Sequence, residues 1–199
     1  MWNDRYRRPG YLYGTDPNDF LAAMAPHIPP GRVLSLGEGE GRNAVYLAEL
    51  GYDVLAVDAS GVGMEKAARL AASRGVRIRT RTLDLSDFNI EPGAWEGIVS
   101  IFCHLPPPLR RRVHREVVAG LRPGGLFILE AYTPRQPAYG TGGPSTPDLL
   151  MCLPDLKQEL RGLDFRVARE IERVVHEGSH HTGLGHVVQV AAAACRDTG

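Results

Sequence analysis

The stretch between residues 33 and 58 restricts this chain more than any other. An apolar run at 33–36 ends in glycines at alternate positions, Gly37, Gly39 and Gly41. Ala44, Val45, Leu47, Ala48 and Leu50 then recur at helical spacing, and Gly51 stops them. A second apolar run at 54–57 ends on Asp58. Strand, glycine loop, helix, strand and acid, in that order, open an α/β sheet that holds an adenosine-bearing cofactor. Glycine is needed where the backbone takes positive φ or lies against a ligand with no Cβ between.

The loop's spacing and charge choose among such cofactors. A dinucleotide loop places its third glycine three residues after the second, where helix amides meet pyrophosphate. Here that position is Arg42, followed by Asn43, and the third glycine comes early. Glu38 and Glu40 sit inside the loop, where anions repel a pyrophosphate and tolerate a ligand with ammonium and sulfonium groups. Both features favour S-adenosylmethionine over NAD. Asp58 is placed to accept the ribose hydroxyls, with Ala59 and Ser60 beside it in the cofactor site; Ser60 is also an N-cap candidate for the next helix. Asp84 and Leu85 follow the third strand. An acid there accepts from an adenine amino group while the neighbouring amide donates to a ring nitrogen; its plain alternative is a turn cap.

Beyond this unit the chain keeps alternating. A helix is expected over 61–74, closed by Gly75, and a strand over 76–83 with one wet face near a sheet edge. A strand over 95–102, a helix opened by Pro106, Pro107 and Pro108 and a strand over 126–131 continue the series. A helix over 147–162 and two strand-like runs at 165–175 and 184–193 complete it. The short join between the last two demands a hairpin. The expected fold is therefore α/β: a seven-stranded, mostly parallel, doubly wound sheet with an antiparallel C-terminal hairpin. At 199 residues the chain reads as one domain, 1–199. Residues 1–18, with Trp2, Tyr6, Tyr11 and Tyr13, read as an irregular arm, either an ordered tail or a lid over the site. Asp16 and Pro17 read as N-cap and first position of a helix over 17–25.

Composition excludes several classes. The 23 basic and 23 acidic residues cancel, so bulk charge gives no reason to expect nucleic acid or a membrane surface. Cys103, Cys152 and Cys195 are far apart and odd in number, which fits a reducing cytoplasm and lacks metal-ligand spacing. No metal is expected. Arg110, Arg111 and Arg112 read as a solvated helix face.

Longer signatures give the resemblance. Alternate glycines after the first strand, an acid ending the second, Asp84-Leu85 after the third, and Leu121-Arg122-Pro123-Gly124-Gly125 before the fifth resemble the class I S-adenosylmethionine-dependent methyltransferases, with their Rossmann-like sheet. Tyr13-Gly14 with Pro17-Asn18, Gly39 through Ala44, Ser100-Ile101-Phe102 with His104-Leu105-Pro106, Glu130-Ala131-Tyr132, Gly142-Gly143-Pro144 and Glu177-Gly178 with His181 and Gly183 are similar to its tellurite-resistance and thiopurine methyltransferase branch. One departure is Ser35, where many class I enzymes carry an acid; its hydroxyl can still bond the loop. The resemblance implies in-line methyl transfer from S-adenosylmethionine to a small molecule, leaving S-adenosylhomocysteine. The leading acceptor class, a tellurite or selenite oxyanion or a thiol, rests on that resemblance.

Ligands lie beyond the carboxyl ends of parallel strands. That brings Phe102 to the cofactor, His104 and His181 to the transfer site as catalytic candidates, and Tyr13, Tyr132 and His176 to the acceptor. The turn carrying His176, His180 and His181 is either an oxyanion contact or a solvated polar turn. Cys103 reads as packing. The expected enzyme is a cytoplasmic monomer or weak homodimer. Its rivals are an O- or N-methyltransferase of another metabolite, a nicotinamide-dependent oxidoreductase and a non-catalytic cofactor-binding protein.

Overall fold

The structure, a computed structural model, describes residues 2–178 and 181–196, and for His181 the backbone alone. Seven strands form one sheet in the order β3-β2-β1-β4-β5-β7-β6. β1 (Arg32–Leu36), β2 (Asp53–Asp58), β3 (Arg79–Thr82), β4 (Trp95–Ile101) and β5 (Leu121–Tyr132) run parallel. β7 (His181–Ala194) is antiparallel to both β5 and β6 (Leu163–Glu177). The strand order reverses between β1 and β4, and a crevice opens at such a switch point, beyond the strand ends.

Side-chain alternation along the inner strands makes two cores. On one face Phe127, Leu129, Ile98, Val188 and Val190 pack with α5 (Pro107–Gly120) and α6 (Leu153–Glu159). On the other Val33, Val54, Val99, Ile128 and Ala191 meet α2 (Asp19–Met24), α3 (Arg42–Glu49) and α4 (Gly61–Ser73). Strands buried on both faces read as unbroken apolar runs, as these do. No described helix is long and apolar enough to cross a membrane.

Four local expectations are corrected. The arm is not wholly irregular: α1 (Trp2–Tyr6) is helical and Tyr6 is buried. The cap of α2 is Asn18, not Asp16; its side chain accepts from the Leu21 amide. Residues 147–162 are not one helix. They split into a 3-10 turn, Pro147–Leu149, and α6: Leu150 and Cys152 between them are extended, and Pro154 sits in the first turn of α6, where its missing N–H costs nothing. Finally β3 is exposed along its whole length, both faces included, as an arginine-rich edge strand.

Candidate active site

The glycine loop turns at the switch point with φ of 61°, 70° and 100° at Gly37, Gly39 and Gly41. Close approach explains Gly37: a Cβ there would lie 2.5 Å from Cys103 Sγ, on the neighbouring strand end. At Gly39 the space is filled by Tyr6, whose hydroxyl would be 2.7 Å from a Cβ. The arm therefore lies directly over the loop.

Asp58 ends β2 beside that loop. Its Oδ2 accepts from the Gly39 amide at 2.9 Å and its Oδ1 from the Ser60 amide at 2.7 Å. An ionised carboxylate offers about four acceptor positions, so capacity for two ribose hydroxyls remains. Burial raises the Asp58 pKa, and the Asp84 charge adds to the rise. Asp84 is exposed; its Oδ1 accepts from the Ser86 amide at 2.7 Å, and that bond lowers its pKa. Leu85 is buried beside it. Ser60 is the N-cap of α4, accepting from the Gly63 amide and donating to Asn3 Oδ1 of the arm; Ala59 is exposed at the tip.

The two acids of the loop have other partners than a ligand. Glu38 Oε1 accepts from the Asn43 and Ala44 amides, each at 3.0 Å, and its other oxygen accepts from Ser35. It caps α3 and is buried, which raises its pKa. Glu40 accepts from the Leu12 amide at 2.7 Å and from Lys66 at 2.7 Å, fastening the arm. The charge argument against pyrophosphate thus has no carboxylate facing the cleft behind it; the glycine spacing carries that argument alone. Arg42 and Asn43 also turn inward. Arg42 pairs with Glu177 at 2.6 Å, and Asn43 accepts from the Asn18 amide at 3.0 Å.

Beyond the end of β4 Phe102 takes φ 50°, a left-handed conformation uncommon for a bulky non-glycine residue. Its ring meets Tyr132 at 4.6 Å between centroids, and His104 lies nearly parallel to Tyr132 at 6.0 Å. His104 Nδ1 donates to the Leu149 carbonyl at 2.8 Å, and Nε2 accepts from the Tyr132 amide at 3.5 Å. That pattern belongs to a neutral imidazole. Burial pushes the Cys103 thiol up to about 12, so it stays protonated. Burial likewise raises Tyr132 and Tyr13, and Tyr13 bonds Arg5. His176 is exposed, on the opposite face of β6 from Val175 and Glu177, and does not join this group. His180 and the His181 side chain lie outside the described residues.

The strand order 3-2-1-4-5-7-6, with the glycine loop at its switch point, is the frame for comparison with known proteins. Residues 33–125 match the methyltransferase domain family. The 2-heptyl-1-hydroxyquinolin-4(1H)-one methyltransferase of Mycobacteroides abscessus is 29% identical over 125 residues, 61% of this chain and 55% of that protein. Over this stretch the chain is similar to S-adenosylmethionine-dependent methyltransferases. It spans about half the length of the curated relatives it matches. Two solved structures share its architecture. A protein described with the conversion of a disulfide bond into a thioacetal group during echinomycin biosynthesis has a TM-score of 0.78 at 18% identity, covering 100% of this chain and 92% of that one. TehB from Haemophilus influenzae has a TM-score of 0.72 at 21% identity, covering 97% and 65%.

Within this family frame, sequence reasoning missed one supporting residue. Arg112 is not on a solvated face. It donates to the carbonyls of Leu85, Ser86 at 3.1 Å and Phe88 at 3.2 Å, and so shapes the loop that presents Asp84 and Leu85. Arg110, in the same run, is buried against Glu159. A run of three arginines gives no sign of which point inward; the α5 period of 3.6 and the apolar Val113 and Val117 do.

Proposed function

We propose that this chain transfers a methyl group from S-adenosylmethionine to a small molecule in the cytoplasm, and that the accepting atom is soft: a tellurite or selenite oxyanion, or a thiol. The observation that carries the cofactor half is Asp58. It is buried at the switch point, clamped to the glycine loop through Gly39, with acceptor capacity left. The residues present fit the cofactor: a glycine loop turning at positive φ beyond β1, Asp58 for ribose, and Asp84 with the Leu85 amide for adenine. Bound there, the cofactor supplies a methyl on positively charged sulfur, and displacement by an acceptor lone pair leaves S-adenosylhomocysteine.

What supports the acceptor half is the chemistry of the rim. Transfer needs alignment and dry walls; well-oriented intramolecular reactions reach effective molarities of about 10⁵ to 10⁸ M. Phe102, Tyr132 and Tyr13 supply aromatic walls. His104 lies against backbone through both nitrogens, and Cys103, Tyr13 and Tyr132 are all shifted upward. An acceptor that arrives with its own exposed lone pair or charge suits such a site better than an alcohol that must lose a proton. The relative that methylates a hydroxyquinolinone supports a second reading, a heteroaromatic acceptor acidic enough to ionise unaided.

A release assay for S-adenosylhomocysteine across selenite, tellurite, thiols, phenols and amines tests this. Turnover with the chalcogen oxyanions or thiols is expected. Turnover only with phenols or amines would overturn the soft-acceptor half and leave the cofactor half standing.

A further inference from the structure

We propose that Glu177 is a positioning residue that couples the cofactor loop to the arm carrying Tyr13. The cofactor reading above is its starting point; the coupling is an addition to it. Glu177 ends β6 and is 4% exposed. Its Oε2 accepts from Arg42, which begins α3 immediately after Gly41, at 2.6 Å. Its Oε1 accepts from the Asn18 side chain, fully buried at the end of the arm, at 2.7 Å. One carboxylate thus holds the helix that follows the glycine loop with one oxygen and the arm with the other.

Three further contacts make this a linkage rather than an isolated ion pair. Asn18 also donates to Glu130 Oε1 at 2.9 Å, two residues before the acceptor-side Tyr132. The Asn18 amide donates to Asn43 Oδ1, the second residue of α3. The residue after Glu177 touches the arm directly: a Cβ on Gly178 would lie 2.2 Å from the Leu12 carbonyl oxygen and 2.6 Å from Tyr13 Cα. The backbone of the arm at Tyr13 is therefore packed directly against the residue that follows Glu177. Two charged groups this deeply buried tolerate little displacement of either, because each leaves the other unpaired in a low-dielectric setting. Ordering the glycine loop with a ligand should then order the arm, and linkage makes the effect reciprocal.

Hydrogen exchange of residues 10–19, read with and without S-adenosylhomocysteine, tests the coupling. In the natural protein the ligand should slow exchange of this segment by about tenfold, a size common for linked sites. Glu177→Gln keeps the shape and the bond from Asn18 but removes the charge that holds Arg42. It should still bind the ligand, while the ligand-dependent slowing falls below about threefold. A merely structural pair would speed exchange equally in both states and leave the ratio unchanged, which would overturn the proposal. If Glu177→Gln does not fold, Gly178→Ala unseats the arm sterically with every charge intact, and the same loss of ratio is expected. Glu91→Ala, at a 65% exposed partner of Arg32 outside this network, is the control and should keep the natural ratio. Failure of the unaltered protein to bind S-adenosylhomocysteine would instead overturn the cofactor reading.

Discussion

On the proposed reading, Asp58 divides its acceptor capacity between the protein and the ligand. Two amides, Gly39 and Ser60, hold its orientation before any ligand arrives, so ribose meets a preorganised carboxylate. Hydrogen bonds to a charged group contribute about 1.5 to 3 kcal/mol each. Asp58→Ala removes two to ribose and also frees the loop, so affinity for S-adenosylhomocysteine should fall by about 100-fold or more, measured by calorimetry. An unchanged affinity would make Asp58 a loop cap only. Burial raises the Asp58 pKa, and the hydroxyl donors need the ionised form. Affinity should therefore weaken on acidification while the pH is still above the ordinary carboxylate range. The same raised pKa works against the folded state as pH climbs: the folded protein holds its proton over a window where the unfolded chain has lost it, so stability falls across that window. A pH profile of affinity that stays flat down to the ordinary carboxylate range would contradict the assignment.

Between elements, the α5–α6 contact is the point where a buried charge decides stability. Arg110 and Glu159 are 4% and 7% exposed at the side chain and meet at 2.9 Å; His114 Nδ1 lies 2.7 Å from the other oxygen. Burial pushes the Glu159 pKa up, but His114 and Arg110 outweigh it and hold it at about 2. Its folded pKa is depressed, so the stability it contributes is complete above the ordinary glutamate range and is lost as pH falls through about 2. Glu159→Ala would leave Arg110 buried with only the distant Asp155 at 3.9 Å. A loss of about 3 kcal/mol is expected. For a chain of this size that lowers Tm by about 6–12 °C in a calorimetric scan. The variant should also lose the acid-limb dependence. A Tm within a degree of the natural protein would show that the pair contributes nothing net.

Across the whole molecule, the sheet was legible because its signals are local. Strand and helix periods switch within a few residues, and glycines and prolines mark most joins. Where a proline inside an apparent helix was weighed too lightly, at Pro154, the expected element split in two. The glycine loop and Asp58 were legible for the same reason. The partners of Glu38, Glu40, Arg42 and Asn43 were not, because a side chain's direction depends on the assembled sheet. Arg42 and Glu177 are 135 residues apart, and no periodicity links them. Both acids of the loop proved to be internal fasteners, which could not be told from ligand contacts before the arm and α3 were in place. A ligand that binds only the folded state stabilises it by about 2.7 kcal/mol at 100 times its Kd. S-adenosylhomocysteine at that concentration should therefore raise Tm by about 5–10 °C.

The most direct measurement is a calorimetric titration of the purified chain with S-adenosylhomocysteine and, separately, with NAD. The cleft at Asp58 predicts saturable one-to-one binding of S-adenosylhomocysteine and no saturable heat with NAD. Saturable binding of NAD with no response to S-adenosylhomocysteine would contradict it.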